Sequence, residues 1–313
     1  MRPIDCPLCD SPDCVGVATM QDRLLGVDGQ FHMVRCSQCG LHYLNPQPTM
    51  EELVPYYSED YDPFQIASPD ELPFLQRHSL TYGLNKRCRL VNRQKTGGRL
   101  LEIGCATGLF LDAMRRTGNW QVQGVDVSEK AVECARETFG LDVFHGSVAE
   151  AHLGDDVFDV VVMWDVLEHV HSPRETLLEI RRILKPDGVL VFRVPLLDAW
   201  DRRLFGRYWA GWDAPRHLTL FSKETLGLML ARTGFRVQRT VCISGSYPTF
   251  VLSVRFWARE ALSPGAQRFL RRSLEALPAR LVTAPFFRLV DQLKKSTVTT
   301  VIARPEGRCP GHL

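Results

Sequence analysis

The sequence predicts an α/β chain: a doubly wound sheet, with a small cysteine-bearing ribbon before it and a helical insertion towards its C-terminal end. Three observations carry that expectation. Strand-like apolar runs alternate with helix-like stretches across residues 98–245, as a parallel sheet with crossover helices requires. The first such run ends in a glycine-bearing turn, Glu102-Ile103-Gly104-Cys105-Ala106-Thr107-Gly108, and the second, Trp120 to Val125, ends at Asp126. Two C-x-x-C pairs stand ahead of the sheet.

The 313 residues suffice for one domain of ordinary size and a small one, and a formal net charge of +2 gives no global pull towards nucleic acid, an anionic membrane or an acidic substrate. Met1 to Asp5 lack the apolar stretch of a secretory signal, and no run approaches the roughly 20 apolar residues of a membrane span, so a cytoplasmic placement is expected. In that setting ten cysteines, four of them in C-x-x-C pairs, point to metal before disulfides.

Residues 1–48 are read as a zinc ribbon. Cys6 and Cys9 form one pair, Cys36 and Cys39 the other, with 26 residues between them. Each pair makes a tight knuckle, and four thiolates make a closed tetrahedral zinc site with no open position, a structural one. Gly40 after Cys39 suits the knuckle, which needs a residue at positive φ. Cys14 is read as a spare thiol. From Asp5 to Leu44 the only Lys or Arg residues are Arg23 and Arg35, too few for a phosphate-binding stripe, which argues against nucleic acid.

Residues 49–97 are read as a helical linker bordering the pocket. Thr49 and Glu52 match a capping box, Pro55 should keep that helix short, and Tyr56, Tyr57 and Tyr61 are candidates for substrate contact. A second helix is expected over 72–92.

Within 98–245, Gly104, Ala106 and Gly108 are small positions where backbone N–H groups approach a ligand closely, and Asp126 is placed to accept ribose hydroxyls. Dinucleotide binding needs G-x-G-x-x-G; here an acid, Glu102, opens the turn, which would repel a phosphate and suit a cation. Gly108 to Arg116 should be a helix, Ser128 the cap of the next, Val143-Phe144 a third strand and Val157 to Trp164 a fourth. Asp165 to His171 then form a loop at the carboxyl end of that strand, where open α/β sheets bind ligands. Ser172 and Glu175 are expected to cap a helix reciprocally, with closure at Lys185-Pro186-Asp187-Gly188 and a fifth strand over Val189 to Val194.

The turn from Glu102 to Gly108, Asp126 behind it, the run Asp165-Val166-Leu167-Glu168-His169-Val170 and the pattern R-x-L-K-P-D-G at 182–188 together resemble the class I S-adenosylmethionine-dependent methyltransferases with an N-terminal zinc-binding domain. The resemblance is to ubiquinone-pathway O-methyltransferases and deoxysugar C-methyltransferases, and covers about residues 6–245. It implies a Rossmann-like seven-stranded sheet, with Phe235 to Val241 sixth and Thr297 to Ala303 as an antiparallel seventh strand. It also implies S-adenosylmethionine held by Glu102, Gly104, Ala106, Gly108 and Asp126, with Ser147 and Val148 at the adenine and Asp165 nearby. In the O-methyltransferases the positions of Asp165, Glu168 and His169 are associated with a divalent metal; Asp165 is one methylene shorter than their Glu, which counts against a catalytic metal here. In the sugar enzymes the Glu168–His169 pair corresponds to the catalytic base.

The lid expected at 195–221 carries Trp200, Phe205, Tyr208, Trp209 and Trp212, then the family-like run Pro215-Arg216-His217-Leu218. Such aromatics suit a packed lid or a pocket for a partly apolar or ring-shaped small-molecule acceptor, and Arg216 is read as salt-bridged within the lid. Residues 246–296 form the helical insertion. From Phe250 to Ser296 there are nine Lys or Arg and three acids; such a stretch serves as a cap, a homodimer face or a peripheral membrane contact. Pro278 and Pro285, expected to break a long helix, favour the first two. Residues 297–313 are the last strand and a loose tail from Arg304. Two other functions compete: a zinc-ribbon RNA methyltransferase, and a non-catalytic module that senses the cofactor.

Overall fold

The computed structural model describes residues 1–57, 74–243 and 246–307 and divides into two compact units. One comprises residues 1–56, 194–226 and 240–300; the other comprises 57–193, 227–239 and residues from 301 onward. Tyr61 and the residues after Gly307 lie outside the described residues.

In chain order the elements begin with β1 (Cys14–Met20), β2 (Phe31–Cys36), β3 (His42–Leu44) and α1 (Met50–Leu53). The capping box forms: Glu52 N–H donates to Thr49 Oγ1 at 3.3 Å and Thr49 N–H to Glu52 Oε2 at 2.9 Å. The helix gives way to a 3₁₀ turn at Val54–Tyr57, where Pro55 sits. Next come α2 (Phe74–Asn92), β4 (Gly97–Ile103), α3 (Leu109–Arg116), β5 (Asn119–Asp126) and α4 (Glu129–Phe139). They are followed by β6 (Asp142–His145), β7 (Phe158–Trp164), α5 (Pro173–Ile183) and β8 (Leu184–Pro195). The remainder is α6 (Trp200–Phe205), β9 (Thr219–Leu220), α7 (Lys223–Arg232) and β10 (Phe235–Val241). Last are α8 (Tyr247–Ala261), α9 (Pro264–Glu275), α10 (Leu277–Gln292) and β11 (Val298–Pro305).

The seven-stranded sheet has the order β10-β11-β8-β7-β4-β5-β6, and the pairs β8·β7, β7·β4, β4·β5 and β5·β6 are parallel. Its centre is dry. Val160, Val161, Val162 and Met163 of β7 and Val189 to Phe192 of β8 are fully buried, as strands covered on both faces demand. Chain direction along the sheet reverses between β4 and β7, so the crevice beyond their carboxyl ends is the topological switch point.

Four expectations need correction. Ser172 makes no side-chain cap bond and Glu175 instead pairs with Arg174 at 3.3 Å, so the start of α5 rests on Pro173 at its first turn. The same helix stops at Ile183, before Lys185, because Asp156 and Val157 N–H take the carbonyls of Arg182 and Ile183; the chain then runs out as β8, five residues ahead of Val189. Further on, α10 runs through Pro285. Pro278 falls in the first turn of that helix, where no intrahelical N–H is needed, and Pro285 removes one bond without stopping it. After that helix, β11 carries on through Arg304 to Pro305, past the expected start of the tail.

The other unit is built on the four-stranded sheet β1-β2-β3-β9, with β9 antiparallel to β3. Its lid segment is packed. Trp209 is buried with its indole N–H on Asp201 Oδ1 at 3.1 Å, Trp212 donates to the Gly206 carbonyl at 2.8 Å, and the two rings meet edge to face.

Candidate active site

At the switch point β4 delivers Glu102 and the glycine turn. Gly104 (φ 71°) and Gly108 (φ 82°) take left-handed conformations, and a Cβ on either would lie 2.5 Å from Val166 Cγ2 or Leu141 Cδ1. Ala106 is also left-handed, at φ 45°, and its N–H donates to Asp126 Oδ2 at 2.7 Å while Ser128 N–H donates to Asp126 Oδ1 at 2.9 Å. The acid at the end of β5 thus pins the turn after β4.

Glu102 is buried, and its Oε2 has no hydrogen-bond partner. Burial raises its pKa well above the carboxylate range; the Arg87 guanidinium pulls the other way and the Asp126 carboxylate adds to the rise. Arg87, from α2, lies over the Trp164 ring, 5.2 Å from its centroid, and is itself brought down to about 10 by burial and by Arg193. Asp126 too is raised by burial, against the backbone N–H groups of Ser128, Ala106 and Val127. Ser147 is occupied: its N–H and hydroxyl both donate to Glu150 Oε2, at 2.7 and 2.6 Å, while Val148 is buried.

The loop after β7 is held by residues remote in sequence. Asp165, at φ 57°, accepts from the Arg193 guanidinium of β8 at both carboxylate oxygens, the Nε contact measuring 2.7 Å. Burial would raise the Asp165 pKa, but Arg193 outweighs it and the carboxyl stays below its usual range. Glu168 is fully buried; one carboxylate oxygen lies within 4.8 Å of a His169 ring nitrogen. His169 N–H donates to the Val166 carbonyl at 2.9 Å, and its Nδ1 shares a 3.0 Å hydrogen bond with Tyr57 Oη.

The sequence reading named Tyr57 only as a substrate contact, and missed Arg193 and Arg87. One signal was available: Arg193 interrupts an apolar strand, and a buried guanidinium needs an anion.

In the N-terminal unit Cys6, Cys9, Cys36 and Cys39 place their sulfurs within 4.8 Å of one another, with Cys6–Cys39 and Cys9–Cys36 both at 3.5 Å. A tetrahedral Zn–S₄ site has sulfurs about 3.8 Å apart, so the cluster has the dimensions of one. In each knuckle backbone N–H groups two and three residues on face the first sulfur: those of Leu8 and Cys9 face Cys6, those of Gln38 and Cys39 face Cys36. Cys14 stays outside the group.

Arg216 is wholly buried between Asp22, at 2.7 Å, and Asp213, at 2.6 Å, and also donates to the Tyr56 carbonyl at 3.1 Å. That matches the salt-bridged reading of this residue, with a second acid from the ribbon.

The profile of a methyltransferase-domain family matches residues 77–240, more than half of the chain. This chain is a member of that methyltransferase family. The matched span runs from α2 to the end of β10 and so carries every loop of the switch-point crevice. The chain is 38% identical over 104 residues to the mitochondrial ubiquinone biosynthesis O-methyltransferase of Schizosaccharomyces pombe, covering 31% of this chain and 37% of that one. To the ubiquinone biosynthesis O-methyltransferase of Caulobacter vibrioides it is 32% identical over 136 residues, covering 42% and 53%. The chain thus spans less than two thirds of the length of these curated relatives. Its fold is shared with a solved structure from Galdieria sulphuraria assigned as a sarcosine dimethylglycine methyltransferase, at 16% identity and a TM-score of 0.50, over 76% of this chain and 90% of that one.

Proposed function

We propose that this chain transfers the methyl group of S-adenosylmethionine to a small-molecule acceptor, at oxygen or carbon. The observation that carries the reading is the buried, unpartnered oxygen of Glu102 beside a left-handed glycine turn at the switch point of a methyltransferase domain. An orphaned buried carboxylate oxygen needs a donor, and a ligand ammonium group is one. S-adenosylmethionine, when bound, supplies a methyl group already activated on a sulfonium. Glu102 and the turn at Gly104, Ala106 and Gly108 would hold its amino-acid end. Asp126, a carboxylate with acceptor capacity beyond its backbone bonds, would take the ribose. Because Glu150 occupies the Ser147 hydroxyl and N–H, the adenine contact falls to the backbone of Val148.

The chain's own chemistry is proton removal and alignment. Held by Tyr57 Oη at Nδ1, the imidazole of His169 serves as base for an acceptor hydroxyl or an acidic carbon. Tyr57 then acts as a positioning residue. Glu168 offers the charge that stabilises the imidazolium formed. An ionised Asp165 locked to Arg193 has both oxygens engaged, which supports a mechanism without a catalytic divalent ion.

The cysteine cluster is read as a structural zinc site, closed to substrate. Its unit gives the RNA methyltransferase reading little support: of the two arginines between Asp5 and Leu44, Arg23 pairs with Glu260 and lies over Tyr208, 5.0 Å from the ring centroid. The similarity to ubiquinone-pathway relatives and the aromatic lid favour an acceptor with an apolar or ring-shaped part.

Labelled methyl transfer into a host-cell extract, fractionated into small molecules, RNA and protein, tests the reading. Label in the small-molecule fraction, lost with His169→Ala, is expected; label in RNA, or cofactor binding with no label anywhere, would overturn it.

A further inference from the structure

Helices α9 and α10 leave large apolar side chains in water. On α10 Val282 is 80% exposed, Phe286 49% and Leu289 52%, and Leu293 just past its end is 61% exposed. Steps of four, three and four residues put these on one stripe of the helix, while Phe287 and Val290, on the flank beside it, are buried and hold the helix down. On α9, Phe269 is 75% exposed. A cap on a core gains nothing from such residues on its outer surface, and grouped exposure of this kind marks an interaction site.

The charges say what covers it. Residues 263–295 contain Arg268, Arg271, Arg272, Arg280, Arg288, Lys294 and Lys295 against Glu275 and Asp291, and Asp291 accepts from Ser246 Oγ at 2.7 Å. Among the described residues none of these five arginines has a carboxylate within 4.0 Å. A second copy meeting this face across a two-fold axis would set arginine against arginine as it buried the apolar stripe. A lipid surface with anionic headgroups takes both components: apolar side chains enter the acyl boundary and the guanidinium groups reach the phosphates.

We propose that α9 and α10 dock this chain on an anionic membrane surface, with Phe269, Val282, Phe286, Leu289 and Leu293 as the inserted side chains. Among the described residues no helix is long and apolar enough to cross a membrane, so the contact is peripheral. The continuity of α10 through Pro285 gives the stripe its single face. Pro285 also leaves the Leu281 carbonyl without its helical donor, which is tolerable in the hydrated headgroup layer and costly in hydrocarbon, so insertion is shallow.

Flotation of the full chain with phosphatidylcholine vesicles, with and without phosphatidylglycerol, tests this. Binding to the anionic vesicles that falls with added salt is expected. The combined variant Phe269→Ser, Val282→Ser, Phe286→Ser should lose partitioning by roughly tenfold or more while its thermal melt stays that of the parent, since these side chains leave no core. Arg268→Gln with Arg272→Gln should lose about fivefold per charge. No flotation on anionic vesicles at low salt, or equal flotation of the serine variant, overturns the proposal. A parent dimer that fails to float and that the serine variant splits assigns the face to a second copy and overturns it as well.

Discussion

In the cysteine cluster four identical side chains converge from two short knuckles, and the backbone N–H groups facing Cys6 and Cys36 come from within three residues of each. In the loop after β7 the partners come from afar: Arg193 for Asp165, Tyr57 for His169. The first arrangement is local in sequence and closed to further ligands. The second is assembled by the fold from elements far apart in the chain. A site whose parts are local can hold a small unit together, whereas one whose parts are remote depends on the fold already being in place.

Four experiments would break or sharpen that contrast. The largest effect is expected from metal removal. Chelation, or Cys36→Ser, should unfold the ribbon, since a structural zinc contributes on the order of 10 kcal/mol, with the loss read in near-UV circular dichroism and restored by zinc. Chelation that left the spectrum intact would make the cluster dispensable.

His169→Ala should lower turnover by about 10² to 10⁴ with cofactor affinity held within about twofold, as measured by single-turnover rates and calorimetric titration. Cofactor binding lost in parallel would return His169 to a structural role.

Glu102→Gln comes next. Because the folded-state pKa of Glu102 is raised, its contribution to stability is complete below the unfolded value of about 4.3 and is lost as pH rises through the folded one. The glutamine variant should therefore gain in relative stability as pH rises, yet bind S-adenosylmethionine roughly ten- to a hundredfold more weakly. The parent should also release protons on binding, visible as a dependence of the heat on buffer ionisation enthalpy, and the variant should not. Equal affinities would remove Glu102 from the site.

The smallest change is expected for Tyr57→Phe, which removes the acceptor for Nδ1–H. Turnover should fall by up to about tenfold and the acid limb of the rate profile should move to lower pH, because the imidazolium loses a stabilising bond. A profile of unchanged shape would mean that Tyr57 does not orient the base.

Legibility followed the same division. The C-x-x-C pairs, the glycine turn, Asp126 and the caps at Thr49 and Ser128 act over a few residues, and the sequence displayed them. Where a distant element competes for a backbone group, local reasoning failed. The end of α5 is set by the amides of Asp156 and Val157 on the way into β7, and neither is written in the Lys185-Pro186-Asp187-Gly188 stop signal. Pro285 is a helix breaker by propensity, yet α10 is anchored through Phe287 and Val290 and continues. The partners of Asp165 and His169 were invisible for the same reason, because strand order decides them.

The position of β11 has a bearing on how the protein is made. It lies between β8 and β10, so both of those strands present a bare edge until residues 298–305 have left the ribosome. Throughout that interval the nascent chain carries β8, with its apolar stretch Val189 to Phe192, unpaired on one side. The time taken to translate the helical segment between β10 and β11 therefore sets how long the half-finished sheet carries an edge open to wrong pairing.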